Sequence, residues 1–301
     1  MKSWRMALAE RAAKALVKPM VARVPGPPEL REAFESSARR NHWAPPGAIW
    51  RNSRLGDLEA VWVSVGRPQN NRVVFWIHGG AFVCGSPETH RHMAAALAKR
   101  MRCEAVLPRY PLAPEEPFPA AIDALTGAYR ALIARVPRGR VTVAGDSAGG
   151  CLTLALLGSL PAAEQPGAAV AISPVVDLSG TGGTLDAHAA GDVLLPRGRF
   201  NEMRGMYLGE HPVTDPRASP VHAVFNAPPP VLFHVSAGEM LFGDTKRMVA
   251  ALTAQGHEPA VQIWPNAFHV FHLMQGIVPE AAAAMDHIAT FIDRFVPPTG
   301  S

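Results

Sequence analysis

Val141-Thr142-Val143-Ala144-Gly145-Asp146-Ser147-Ala148-Gly149-Gly150 is the stretch on which the fold turns. Its first five residues are a short β-prone run that reads as a buried strand. The run passes straight into a turn whose glycines bracket a serine two positions away on each side, and Cys151 to Leu160 continues as a helix. Such a corner has little room for side chains at its flanks. It lifts the serine hydroxyl above the end of the strand and aims the unpaired N–H groups of the following helix at developing negative charge. Ser147 is therefore the candidate nucleophile.

Working outward, the same alternation recurs. Residues 103–108 (CEAVLP), 168–174 (AAVAISP), 230–236 (PVLFHVS) and 260–265 (AVQIWP) read as strands; Phe118 to Ile133, Asp244 to Gln255 and Glu280 to Phe295 read as helices. Upstream, 58–65 (LEAVWVSV) and the run from Arg72 to Ile77 are expected to form a hairpin across Gly66 to Asn71. Two helical stretches precede them, broken by 24–29 (VPGPPE). Near-continuous apolar strands alternating with helices predict one α/β domain, a mainly parallel sheet covered on both faces. Residues 180–211 break this rhythm and are expected to lie outside the sheet as a helical insertion, which the N-terminal helices join as a lid.

Three further groups complete a chemistry around Ser147. After the strand ending at Ile77 comes His78-Gly79-Gly80-Ala81-Phe82. Consecutive glycines let backbone N–H groups approach an oxyanion without a Cβ in the way, so Gly79 and Gly80, with Ala148, are the candidate donors. His78 is expected to order this loop. A base must fold back from a late loop, and His269 in WPNAFHVFH meets that need, with His272 the contender; His234, inside an apolar strand, reads as a hydrogen-bonded core residue. The acid that orients the imidazole should follow the strand at 230–236. Glu239 is the first carboxylate there, and Asp244 the alternative, more naturally an N-cap. The order Ser147, Glu239, His269 is the nucleophile, acid, base order of this kind of sheet.

Composition narrows the classes. A chain of 301 residues with 48% hydrophobic and 18% charged residues has a soluble, globular balance. The formal charge of +4 is scattered, which argues against a nucleic-acid partner. Cys84, Cys103 and Cys151 are widely spaced without zinc-like neighbours, so reduced cysteines, no metal and a cytoplasmic location are expected. The start MKSWRMALAERAAKALVKPM is interrupted by Arg5, Glu10, Arg11 and Lys14 and does not read as a signal peptide; no stable membrane insertion is expected. Trp4, Leu8, Ala12 and Leu16 can share one helical face, which leaves an interfacial helix open, but a helix packed over the body of the protein is the expectation. Neither a phosphate-cradling Lys-Ser/Thr nor a G-x-G-x-x-G follows the glycine-rich turns, so no nucleotide cofactor is expected.

Taken together, HGGAF at 78–82, RYPLAPEEPFPA at 109–120, GDSAGG at 145–150, DPRASP at 215–220, Glu239 with its MLFGD tail and HVF at 269–271 resemble the bacterial hormone-sensitive-lipase-like carboxylesterases, over roughly residues 45–295. The resemblance implies the α/β-hydrolase fold with a helical cap. Residues 1–45 and 180–211 would contribute the cap, and 46–179 and 212–301 the two parts of the catalytic domain. It further implies cofactor-free hydrolysis of short- to medium-chain acyl esters through an acyl-enzyme, frequent dimerisation through the late strand and helix edge, and a holding role for Asp215 and Ser219. Many members carry Asp where Glu239 stands, a departure that falls on the acid. Phe82, Leu195, Phe200, Met203, Met206, Tyr207 and Phe268 are the candidate pocket residues. A specialised deacetylase or amidase would use the same groups, and a noncatalytic binding member of the fold would leave them without a purpose.

Overall fold

Strands β1 (Ala48–Leu55), β2 (Leu58–Val65), β3 (Val73–Ile77), β4 (Glu104–Pro108), β5 (Val141–Asp146), β6 (Ala168–Ile172), β7 (Val231–Ser236) and β8 (Ala260–Trp264) hydrogen-bond into one sheet. Their order is β1-β2-β4-β3-β5-β6-β7-β8. From β4 to β8 every pairing is parallel, while β2 pairs antiparallel with both β1 and β4. The computed structural model describes residues 2–40, 44–181 and 183–298. The expected segments 1–45, 180–211 and 212–301 thus include positions 1, 41–43, 182 and 299–301, which lie outside the described residues.

The helices are α1 (Trp4–Ala12), continued by a π-helical turn (Ala13–Val17) into α2 (Lys18–Arg23), then α3 (Pro27–Arg40), α4 (Pro87–Met101), α5 (Ala120–Ile133), α6 (Ala148–Ser159), α7 (Gly183–Ala187), α8 (Arg197–Leu208), α9 (Phe242–Ala254) and α10 (Pro279–Phe295). Alternation along the strands sorts the core onto two faces. Phe75 and Val143 point to the side packed by Leu125 of α5 and Leu152 of α6, while Val74, Trp76 and Val170 meet Met93 and Leu97 of α4 and Ile288 and Ile292 of α10. Phe233 and Ala171 pack against Met248 and Leu252 of α9. With both faces covered, β3, β5, β6 and β7 are buried along their whole length and are built mostly of apolar residues; the Thr142 hydroxyl of β5 is buried without a hydrogen-bond partner among the described residues. Each such valine or isoleucine contributes about 1.5–3 kcal/mol of apolar burial.

Three expectations change. The hairpin is β1–β2, closed at Gly56-Asp57, and β3 pairs instead with β4 and β5. Strand β1 (AIWRNSRL) is an edge strand exposed over most of its length, so its polar composition hid it. Helix α6 begins at Ala148, directly after the serine, because the corner needs no connecting residue. Helix α9 begins at Phe242, so Asp244 is not its N-cap; the buried Asp244 carboxylate accepts the N–H of Val176 at 2.9 Å, tying α9 to the segment after β6. Helix α4, opened by a Ser86–Thr89 capping box, is an element the pattern did not single out.

The DPRASP loop is held as expected. Asp215 Oδ1 accepts Arg217 N at 2.9 Å, and Ser219 Oγ accepts Leu178 N at 2.9 Å. The three cysteines are free and buried. Among the described residues no helix is long and apolar enough to cross a membrane.

Candidate active site

Successive parallel strands deliver one group each to a common edge. Following their carboxyl ends across the sheet, Gly79 and Gly80 come after β3, Ser147 after β5, Ser173 after β6, Glu239 after β7 and His269 after β8. This is the rim where open parallel sheets place ligands.

Ser147 has φ +54° and ψ −118°, a conformation that strains a residue with a Cβ. Surroundings hold it there: its N–H donates to Ile172 O at 2.8 Å and its carbonyl accepts Val175 N at 3.3 Å, both on the β6 side. The flanking glycine is forced by close approach. A Cβ at Gly149 would lie 2.1 Å from the Ile77 carbonyl oxygen, so any side chain there would push β3 away from the corner.

His269 is buried, with Nε2 3.0 Å from Ser147 Oγ and Nδ1 3.4 Å from Glu239 Oε1. With the Nδ1 proton facing the carboxylate, Nε2 is left to accept from the serine hydroxyl. Glu239 Oε2 accepts the Ser173 hydroxyl at 2.9 Å and the Ser236 N–H at 3.2 Å, so the acid is held from two strands. Burial pulls the His269 imidazole down, but the hydrogen bond and charge of Glu239, aided by Asp192 and Asp146, outweigh it, and its pKa is raised.

The rivals are occupied elsewhere. His272 Nε2 meets His234 Nδ1 at 3.1 Å, and His234 Nε2 meets His287 Nδ1 at 2.9 Å, a chain of imidazoles leading away from the serine. His234 is thus the hydrogen-bonded core histidine expected of it. Burial pushes Asp244 up to about 6, as fits a carboxyl with one oxygen unpartnered among the described residues. His78 stacks on Tyr110 at 4.2 Å between ring centres, its Nδ1 is 2.9 Å from Gly79 O, and its carbonyl accepts the Tyr110 hydroxyl at 2.7 Å. It orders the glycine loop. Among the described residues neither Gly79 nor Gly80 spends its N–H on another backbone carbonyl, and Ala148, first residue of α6, has no intrahelical acceptor.

Several contributors lay outside the sequence reading. Asp146 sits under the corner, where His90 Nε2 and Trp76 Nε1 both approach it at 3.2 Å; burial works to raise its carboxyl, yet His90 and the indole hold it below the usual range. The 180–211 segment grips the acid loop: Asp192 Oδ2 accepts Met240 N at 2.9 Å, His188 Nδ1 lies 3.0 Å from the Glu239 carbonyl oxygen, and Thr184 Oγ1 donates to the Met240 carbonyl at 2.6 Å. Asp146 was signalled by its place inside the glycine-serine corner. The grip rests on contacts between distant segments that no local pattern encodes.

The pocket candidates separate into two groups. Tyr207 stacks on Phe82 at 3.8 Å between ring centres, and Leu195, Phe200, Met203 and Met206 pack against that same cluster. Phe268 stands apart, packed with Met6, Ala9 and Phe271. It also lines a cavity of about 210 Å³ beside Glu239 and His269, with Lys2, Glu10 and Asp192 on its walls.

Burial and neighbouring His90 push His78 down to about 3, and burial with His269 does the same to His272 against the pull of Asp146. Both rings stay neutral in the fold but take up a proton near pH 6.5 once unfolded. The stability they contribute is therefore complete above pH 6.5 and is lost as pH falls below it, by about 1.4 kcal/mol per pH unit for each ring. Asp244, raised to about 6, works in the opposite sense below that pH. The net expectation for these three groups is a loss of about 3 kcal/mol between pH 8 and pH 5. Urea midpoints at the two pH values measure it; an unchanged or higher midpoint at pH 5 would contradict the neutral buried rings.

Residues 74–273 match the family described as the α/β-hydrolase fold. A crystal structure of an esterase from the bacterial hormone-sensitive lipase family superposes with a TM-score of 0.91 at 27% identity, covering 98% of this chain and 99% of that one. The chain belongs to the hormone-sensitive-lipase-like branch of the α/β-hydrolases. This hydrolase is 35% identical over 255 residues to an acetyl-hydrolase of Streptomyces hygroscopicus, with 84% of each chain covered. It is also similar to an esterase/lipase from an uncultured bacterium, with 30% identity, a TM-score of 0.90 and coverage of 98% and 99%.

Proposed function

We propose that this enzyme is a serine carboxylesterase for short- to medium-chain acyl esters, with Ser147 as nucleophile, His269 as general base and Glu239 as the acid that orients it. The observation that carries the reading is the relay of Ser147 Oγ, His269 Nε2 and Nδ1, and Glu239 Oε1 at 3.0 and 3.4 Å, on loops from three parallel strands. Contacts of this length are common between catalytic groups of unliganded sites. Kinship with named esterases and an acetyl-hydrolase supports the ester class.

In this reading His269 Nε2 takes the Ser147 proton as Oγ bonds to the ester carbonyl carbon. The N–H groups of Gly79, Gly80 and Ala148 hold the oxyanion. The imidazolium returns its proton to the leaving alcohol, the C–O bond breaks, and an acyl-enzyme remains. Water, deprotonated by His269, then releases the carboxylic acid and restores Ser147. The raised His269 pKa suits the imidazolium that forms twice in each turnover. No metal or organic group enters any step.

The segments 1–45 and 180–211 are assigned as the cap over 46–179 and 212–301. Lys18 supports this by donating to the carbonyls of Ala189 and Asp192, which joins the two segments. The stacked Phe82 and Tyr207, with Leu195, Phe200, Met203 and Met206, are assigned to the acyl or alcohol pocket, and Phe268 to its flank near the base. A homodimer through the outer edge of β8 is supported by exposed Val261 and Ile263 on that terminal strand and exposed Phe295 on α10. A cytoplasmic location is supported by three free thiols, all buried.

Pre-steady-state hydrolysis of a p-nitrophenyl ester series from acetate to long acyl chains tests the reading. The expected result is a burst of one p-nitrophenol per active site with the fastest turnover on the short esters. Linear release without a burst, while acyl transfer to added alcohol is also absent, would remove the covalent intermediate; turnover restricted to amides would favour the amidase alternative.

A further inference from the structure

The chain from Trp4 to Arg23 is one unbroken helical stretch, formed by α1, the π turn and α2. Its inner side is spent on the body of the protein: Met6 and Ala9 are buried against Phe268, Phe271, Val278 and Ala281, and Ala13 and Val21 are buried as well. Its outer side carries an apolar strip among basic residues. Trp4 is 72%, Leu8 59% and Leu16 70% exposed, at spacings that keep them on one face with exposed Ala12. Large apolar side chains gathered on one exposed helical face mark a contact surface.

Charge identifies what covers this one. Arg5, Arg11, Lys14 and Arg23 are all exposed along the same stretch, and among the described residues Arg11, Lys14 and Arg23 make no ion pair. The one acid of the stretch, Glu10, is half-buried and paired to Lys2. A second copy of the chain, meeting this face across a twofold axis, would bring the cations against themselves. An exposed tryptophan and leucines among unpaired cations fit the boundary of an anionic bilayer, where the rings and aliphatic groups enter the headgroup layer and the cations meet lipid phosphates.

We propose that the outer face of residues 4–23 docks this enzyme, peripherally and reversibly, on anionic lipid bilayers. The inner face of the same helix packs on Phe268, the neighbour of His269, so the docked orientation sets the catalytic rim beside the source of lipophilic substrate. Attachment is to the surface only, since Arg5, Glu10, Arg11, Lys14, Lys18 and Arg23 leave the stretch too charged to span and its inner face is packed on the body.

The test is co-sedimentation of the full chain with phosphatidylcholine vesicles, with and without about a third phosphatidylglycerol. Two surface variants, Leu8→Ser with Leu16→Ser and Arg11→Glu with Lys14→Glu, are compared, with circular dichroism and turnover of a water-soluble acetate ester as controls for folding. Wild type is expected to bind the anionic vesicles and to be released as salt rises from about 0.1 to about 0.5 M. Each cation near the surface is worth about fivefold in partitioning, so the charge variant should lose at least about 25-fold and the serine variant should bind weakly to either vesicle. Equal binding to neutral and anionic vesicles, or none to either, overturns the proposal. So does a dimer of wild type that the serine variant abolishes, which would give the face to a second copy. Sedimentation needs no turnover, so its failure and the failure of the esterase reading are separate results.

Discussion

Replacing Ser147 with alanine is expected to lower kcat/KM for a short activated ester by about 10⁶-fold, some 8 kcal/mol of transition-state stabilisation. The burst should vanish with it. The size of the effect follows from what remains. Without Oγ there is no acyl-enzyme, and His269 has no hydroxyl to deprotonate at 3.0 Å. What survives is the positioning of substrate and the N–H groups assigned to the oxyanion, which elsewhere retain about 10³–10⁴-fold over water when a triad is broken.

The same variant separates catalysis from folding. The strained backbone of Ser147 is imposed by hydrogen bonds from its N–H and carbonyl, which alanine keeps, and its Cβ is unchanged. The melting temperature should therefore stay within about 2 °C of wild type. Turnover surviving in folded protein would remove Ser147 from the role; loss of turnover with a collapsed melting temperature would leave Ser147→Cys, which keeps a nucleophilic atom, to decide by its own covalent labelling.

How much of this was legible depended on whether a feature is encoded locally. The β5–corner–α6 unit is local in sequence: an apolar run, glycines at the two positions where the corner leaves no room for a Cβ, and a serine between them. The buried strands were readable because burial on both faces leaves continuous apolar runs. Strand β1 escaped because an edge strand with one exposed side carries Arg51, Asn52, Ser53 and Arg54, a sequence indistinguishable from loop until its partner is known. The misplaced hairpin is the same failure seen from β2: its partners, β1 and β4, lie on either side of it in the sheet, and adjacency in sequence to β3 was the wrong guide.

For the site, the order of nucleophile, acid and base pointed to Ser147, Glu239 and His269, and those three side chains do converge. What local pattern could not carry is the support behind them. Ser173 reaches Glu239 from the end of β6, and Thr184, His188 and Asp192 arrive from a segment that reads only as a break in rhythm. These are contacts between residues roughly fifty or more positions apart, fixed by the packing of the whole and by nothing in their immediate neighbours.

The acid gives the sharpest remaining contrast, because two buried carboxyls follow β7. Glu239→Gln is expected to reduce kcat/KM by about 10⁴-fold, since an amide can present its N–H₂ to His269 Nδ1 and favour the tautomer whose Nε2 carries the proton. Its neutral side chain also withdraws the hydrogen bond and charge that hold His269 above the ordinary imidazole range. A base works only when unprotonated, so the raised pKa places the acid limb of the wild-type profile above pH 6.5, and in Glu239→Gln the limb of the residual activity should move to lower pH. Asp244→Asn should leave kcat/KM within a fewfold, because Asp244 bonds Val176 N and makes no contact with His269 among the described residues. Its signature is in stability: an ionised Asp244, raised by burial to about 6, weakens the fold as pH climbs from about 4 to 6, and the amide removes that dependence, worth about 3 kcal/mol at neutral pH. If the large catalytic loss followed Asp244 instead, α9 and not the β7 loop would supply the acid, and the 3.4 Å contact of Glu239 with His269 would be a bystander of the fold.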